Sequence, residues 1–274
     1  MKSSERGPTW ARPRPLQGKF GIVTGAGTGI GQTIAATLAS LGANVGINYW
    51  HSQTGAVETA KRVRAEGSDS LLLPGDVADE AVVRDMVHEA ESKFGSIDFL
   101  VNNAGAGGGA DTDDAIYRAS YADWNRLLAS NLSSAFLMTR YAAPGMIRKR
   151  SGRIVNISSL CGLTGDCGPA YCAAKAGMLG LTRHSAVALA PHVQVNAILP
   201  GFVSSLPHDP EKVARITPGR RIGHPSDIAD LAGYLLASPQ GFLTGACIVM
   251  DGSVSNGVIG RMMDWAELAG PDPD

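Results

Sequence analysis

The stretch FGIVTGAGTGIG, Phe20 to Gly31, joins a short β-branched run to an apolar helical pattern through a turn that is almost entirely glycine. Its spacing is Gly25-x-x-x-Gly29-x-Gly31, with Thr24 before it and Thr28 and Ile30 inside it. Glycines here let the chain turn sharply. They also let the free N–H groups and positive end of the next helix approach a pyrophosphate. A tight turn that binds nothing has the same local appearance, so the rest of the chain decides between the two.

Outward from this turn, short apolar runs alternate with longer helical patterns. FGIVT is followed by a helix over 30–41, NVGINY by 53–66, SLLLP by 79–94, DFLVN by 121–149, RIVNIS by 170–190 and VQVNAIL by 225–237, and ACIVM closes the series. Within 79–94, Val82, Val83, Met86, Val87, Ala90 and Phe94 share one helical stripe, and Asp79 is placed to cap its start. The runs are nearly all apolar, as strands covered by helices on both faces must be. Seven strands without a linker predict an α/β fold, a single-domain, doubly wound parallel seven-stranded sheet of Rossmann type. In such sheets ligands sit beyond the carboxyl ends of the strands, so function is expected just after each strand.

With 24 Lys+Arg against 25 Asp+Glu, the net charge of -1 supplies no positive field for nucleic acid. No run of eighteen apolar residues occurs and the first nineteen residues have no apolar signal core, so no membrane partner and a cytoplasmic location are expected. Cys161, Cys167, Cys172 and Cys247 show neither Cys-x-x-Cys nor zinc-type spacing. Reduced thiols and no metal site are expected. Residues 1–17, with three prolines and four basic side chains, read as a flexible arm.

Further motifs stand at the predicted strand ends: Asp76-Val77, Asn102-Asn103-Ala104-Gly105, Ser158-Ser159, Tyr171-x-x-x-Lys175 and Pro200-Gly201, with Asn131 in an intervening helix. Together with the glycine turn they resemble the compact short-chain dehydrogenase/reductase family over residues 18–252, and that segment is expected to be the catalytic domain. The resemblance implies an NAD(P)-dependent oxidoreductase that moves a hydride between a nicotinamide cofactor and a carbonyl or secondary alcohol substrate. It also implies a homo-oligomer, tetramer or dimer. The family's larger epimerase and dehydratase branch has a differently spaced glycine turn and a C-terminal substrate domain. A cofactor-sensing regulator on the same fold would be expected to lack Tyr171 or Lys175.

Tyr171 and Lys175 lie four apart on one helix face. A phenol with a pKa near ~10 exchanges protons poorly at neutral pH, and an adjacent ammonium is expected to lower it, making the pair a general acid or base. The resemblance implies that Lys175 also binds the nicotinamide ribose, that a serine holds the substrate oxygen, and that Asn131 holds a water linking Lys175 to solvent. Ser-Ser-x-x-Gly points to Ser159 as that serine, whereas Ser158 lies thirteen residues before Tyr171, the spacing usual in the family. A deletion in the following loop is easier to accommodate than a slip within a strand, which favours Ser159.

The resemblance places the cofactor against Gly25, Thr28, Gly29, Ile30, Tyr49, His51, Asp76, Val77, Asn103, Ala104, Gly105, Tyr171, Lys175, Pro200, Gly201 and Val203. Asp76 is implied to face the adenine amino group, and Ser204 or Ser205 stands where a threonine often contacts the carboxamide. The second strand ends Ile47-Asn48-Tyr49-Trp50-His51-Ser52 with no acid to repel a 2′-phosphate, so NADP(H) is favoured and NAD(H) remains open. His51 and Ser52 are the available donors. The substrate pocket is expected along 106–114, 160–169 and 202–216, with 204–219 as a lid. Beyond 252, Val258, Met262, Trp265 and Ala269 recur at helical spacing, predicting an interface helix around 257–269 within a 253–274 extension.

Overall fold

Each of the seven apolar runs is a strand: β1 Phe20–Val23, β2 Asn44–Tyr49, β3 Ser70–Pro74, β4 Phe99–Asn102, β5 Gly152–Ile157, β6 Val193–Pro200 and β7 Cys247–Met250. The computed structural model describes residues 14–106, 116–165, 167–205, 209–238 and 241–256. Its strands form one parallel sheet in the order β3-β2-β1-β4-β5-β6-β7. The order reverses between β1 and β4, where Gly21 pairs with Phe99 and Val23 with Val101. That reversal leaves a crevice at the carboxyl ends of these two strands.

The helices are α1 Gly29–Ser40, α2 Gln53–Ala65, α3 Glu80–Phe94, α4 Tyr121–Leu128, α5 Ser134–Arg148, α6 Cys161–Thr164, α7 Pro169–Ala188, α8 Pro210–Ile216 and α9 Pro225–Ala237. Strand alternation sorts the core into two layers. Val23, Val45, Ile47 and Val101 pack against Ile34 and Leu38 of α1, Ala56 and Val63 of α2, and Ile228 and Leu235 of α9. Ile22, Leu71, Leu73, Leu100 and Ile154 face Val83, Met86 and Val87 of α3 and Met138 and Met146 of α5. Asp79 caps α3 by accepting from the N–H groups of Ala81 at 2.8 Å and Val82 at 3.2 Å.

Three expectations are corrected. The helix predicted over 121–149 is two helices joined by a π turn at Ala129–Ser133, where Asn131 Nδ2 donates to Leu127 O at 3.1 Å and to Ala106 O at 2.9 Å. The end of the supposed arm is docked: Leu16 is buried with its N–H on Leu41 O, and Arg14 donates to Glu66 O and Ser68 Oγ. Cys161 and Cys167, read as reduced thiols, form a disulfide with Cα atoms 5.8 Å apart, because α6 folds back towards the start of α7. Cys172 and Cys247 are free. The interface helix expected around 257–269, with Trp265, lies outside the described residues, as do 1–13 of the arm. No helix among the described residues is long and apolar enough to cross a membrane.

Candidate active site

The glycine turn is locked to its neighbours by polar groups at three strand ends. Thr24 Oγ1 accepts the N–H groups of Asn103 and Ala104, both at 2.9 Å, tying the end of β1 to that of β4. Asn103 Nδ2 donates to Thr24 O at 2.9 Å and Gly25 O at 3.3 Å. From β2, Asn48 Oδ1 accepts the Gly25 N–H at 3.1 Å while its Nδ2 donates to Leu73 O and Gly75 O. Gly25 has φ +62°, and a Cβ there would lie 3.0 Å from Ala104 Cα. A Cβ on Gly31 would strike Asn103 Nδ2, so both positions require glycine.

Helix α1 opens from this turn with Thr28 as an extended N-cap whose side chain makes no capping bond, and its first turn carries no acid. The free N–H groups and dipole end are therefore left to an anion. They face a cleft of about 350 Å³ that runs along the carboxyl ends of the strands. Gly25, Thr28, Gly29, Ile30, Tyr49, Asn103, Ala104, Gly105, Pro200, Gly201 and Val203 line it, together with Asn131, Ser159, Tyr171 and Lys175.

His51, Asp76 and Val77 do not line the cleft. Asp76 Oδ1 accepts the Ala78 N–H at 2.9 Å within its own turn, Val77 is buried in the core, and the His51 ring packs tilted against Trp50 with ring centroids 3.9 Å apart. Trp50 and Ser52 line the cleft beside Tyr49. Trp50 is 59 % exposed, whereas Tyr49 is buried. Ser205 lines the cleft and Ser204 does not; the Ser204 N–H pairs with Gly223 O.

At the other end, α7 carries Tyr171 and Lys175 towards the end of β5. Ser159 hydrogen-bonds the Tyr171 phenol and accepts the Cys161 N–H at 3.2 Å. Ser158 is buried, with its hydroxyl donating to Lys175 O at 2.9 Å. The Lys175 ammonium is buried, donates to Ile157 O at 3.1 Å and lies 5.5 Å from the Tyr171 ring centroid. Burial lowers Lys175 to about 8. Burial also raises the Tyr171 phenol, against the opposing hydrogen bond from Ser159. The expected lowering of the phenol by Lys175 is thus not found, because the ammonium is turned to Ile157 O and desolvation dominates.

Asn131 is buried in the π turn, and its Oδ1 has no hydrogen-bond partner among the described residues. A Cβ on Gly105 would strike this oxygen and lie 3.6 Å from Lys175 Nζ, so the two side chains flank the glycine. Among the described residues no group of three or more His, Cys, Asp or Glu could hold a metal.

The family model for short chain dehydrogenase matches residues 19–212, and the chain belongs to the short-chain dehydrogenase/reductase family. It is an NAD(P)-dependent oxidoreductase acting between a carbonyl and a secondary alcohol. It is 38 % identical to the 3-oxoacyl-[acyl-carrier-protein] reductase FabG of Staphylococcus aureus (strain Mu50) over 244 residues, covering 86 % of this chain and 98 % of that one. Among solved structures, a 3-oxoacyl-[acyl-carrier protein] reductase from Brucella melitensis with bound NAD superposes with a TM-score of 0.80 at 29 % identity, covering 92 % of this chain and 97 % of the other. A Serratia marcescens short-chain dehydrogenase/reductase mutant does so at 0.80 and 34 %, covering 88 % and 99 %. The glycine cradle, the uncapped start of α1 and the unpartnered Asn131 Oδ1 fit a dinucleotide lying along the cleft.

Proposed function

We propose that Tyr171 is the general acid for carbonyl reduction, and the general base in the reverse direction, with NADP(H) preferred over NAD(H). The observation that carries this reading is that Ser159, Tyr171 and Lys175 meet in the same cleft as the open start of α1. When bound, the nicotinamide supplies or accepts the hydride.

Ser159 and the Tyr171 hydroxyl hold the substrate oxygen between them, which fixes the carbonyl carbon over the cleft. Tyr171 then gives its proton to that oxygen as charge develops there. Lys175 keeps a positive charge beside the resulting phenolate and offers donors to the ribose. Asn131 Oδ1, placed across Gly105 from Lys175, accepts from a water that returns the proton to the pair. Gly25, Thr28, Gly29 and Ile30 bind the pyrophosphate, and Asn103, Ala104, Gly105, Pro200, Gly201 and Val203 shape the nicotinamide side.

The cofactor preference rests on the end of β2, where no carboxylate stands to take both ribose hydroxyls and repel a phosphate. Ser52 and Trp50 line that end, with the His51 ring packed against Trp50. The catalytic unit is proposed to be a cytoplasmic homo-oligomer. A panel of ketones, 3-oxoacyl thioesters and keto sugars with each reduced cofactor tests the reading. Turnover of at least one carbonyl with a higher kcat/KM for NADPH is expected; a strong preference for NADH would overturn the cofactor assignment.

A further inference from the structure

Three of the four cysteines converge on the segments that carry Ser159 and Tyr171. Cys161 opens α6 two residues after Ser159, Cys167 stands two residues before α7, and Cys172 follows Tyr171. The Cys161–Cys167 bond closes a loop of only six positions. So short a loop removes less unfolded-chain entropy than a long one would, and its main consequence is local. Locally it joins the turn whose Cys161 N–H donates to Ser159 Oγ to the residue that leads into α7. A Cβ on Gly162 would lie 2.8 Å from Lys175 C, so α6 rests directly on the backbone of α7 at Lys175. No residue of α6 is buried, and Cys167 is only partly so. Cys172 stays outside the bond, its Sγ donating to Cys167 O at 3.3 Å.

We propose that Cys161 and Cys167 form a reversible thiol–disulfide site that takes a dithiol as reductant, and that its oxidised form holds Ser159 against Tyr171. One thiolate of the dithiol attacks a protein sulfur, breaking the S–S bond and releasing the other cysteine as a thiolate that takes up a proton. The second thiol of the reagent then displaces the attached cysteine. Two electrons and two protons reach the protein, and the reagent leaves as its disulfide. The coupling to turnover rests on the roles proposed above for Ser159 and Tyr171; the bond itself does not.

The test compares full-length protein oxidised with glutathione disulfide and reduced with dithiothreitol. Each sample is alkylated with iodoacetamide for peptide mass analysis, followed by amide hydrogen exchange over 159–172 and by turnover. Cys161 and Cys167 should be shielded in the oxidised sample and labelled after reduction. Reduction should speed exchange and lower kcat several-fold with little change in cofactor KM, reversibly. Cys161→Ser and Cys167→Ser should sit at the reduced values and ignore the dithiol. Labelling of both cysteines in the oxidised sample overturns the proposal, as does a bond whose reduction alters neither exchange nor kcat. Should no carbonyl be turned over in either state, the functional reading fails, and exchange alone decides the switch: faster exchange on reduction supports it and unchanged exchange sinks it.

Discussion

Lys175 shows how a single residue sets function against stability. Its ammonium is buried and held at about 8, below the ordinary lysine value of 10.5. Between those values the unfolded chain binds more protons than the folded one. Stability therefore carries the full burial cost below pH 8 and rises as pH climbs from about 8 to 10.5. Lys175→Met should remove that cost. At pH 7 the variant should gain up to about 3 kcal/mol, less about 1 kcal/mol for the lost bond to Ile157 O. Its advantage should fade above pH 10, and it should be inactive. Denaturant titrations across pH 7–11 check this, and parallel curves for the two proteins would refute the burial argument. Tyr171→Phe deletes the proposed proton donor and leaves the glycine cradle untouched, so kcat should fall by roughly 10²–10⁴ with cofactor affinity nearly unchanged. Measurable wild-type turnover in this variant would remove Tyr171 from the mechanism.

Among the elements, β4 depends on a carboxylate just before its first residue. Asp98 accepts from Lys149 at 2.7 Å, the Phe20 N–H at 3.0 Å and Lys19 at 3.1 Å, linking β1, β4 and the end of α5. Burial alone would raise this carboxyl, but the hydrogen bonds from Lys149, Phe20 and Lys19 outweigh it and hold it below its usual value. Its contribution is complete above the unfolded value and is lost as pH falls through the folded one. Asp98→Asn should lower the melting temperature at pH 7, with the difference from wild type shrinking as pH falls below the ordinary carboxylate range; a constant difference at every pH would mean that charge is not the cause. Sequence periodicity located all seven strands to within a residue at each end, since a covered parallel strand is an unbroken apolar run. It missed the break in 121–149, because a π turn adds a residue to the hydrogen-bond ladder without interrupting the apolar pattern. Asn48 has its signal in the sequence as a polar side chain inside an apolar strand, the mark of a buried bracing group. Trp50, which lines the cleft beside Tyr49, carries no signal in the sequence, because strand alternation does not say which way a residue past the strand's end turns. Asp76, which the resemblance sets facing the adenine, accepts the Ala78 N–H two residues on through Oδ1. The cysteine pairing was invisible because proximity came from how α6 folds back, not from spacing.

At the scale of the whole molecule, the cleft crosses the seam where the strand order reverses. One end is built from β1, β2 and α1, the other from β5, α7 and the segment after β6. The two halves meet through Thr24 with Asn103 and Ala104, and through one continuous sheet. A dinucleotide long enough to reach both ends contacts a surface that exists only in the folded chain, and so it must stabilise folding by mass action. At a free concentration about a hundred times its Kd, the gain is about 2.7 kcal/mol. For a chain of this size that corresponds to a rise in melting temperature of roughly 5–10 °C. NADPH and NADH differ only in the 2′-phosphate, so at equal concentration the difference between their shifts reads the chemistry at the end of β2 without any substrate. NADPH should give the larger shift, and Tyr171→Phe should preserve it, because the phenol is proposed to act on the substrate and not on the adenosine end. A larger shift with NADH would place the ribose selectivity on groups other than the acid-free end of β2, and no shift with either would show that the cleft does not hold a dinucleotide.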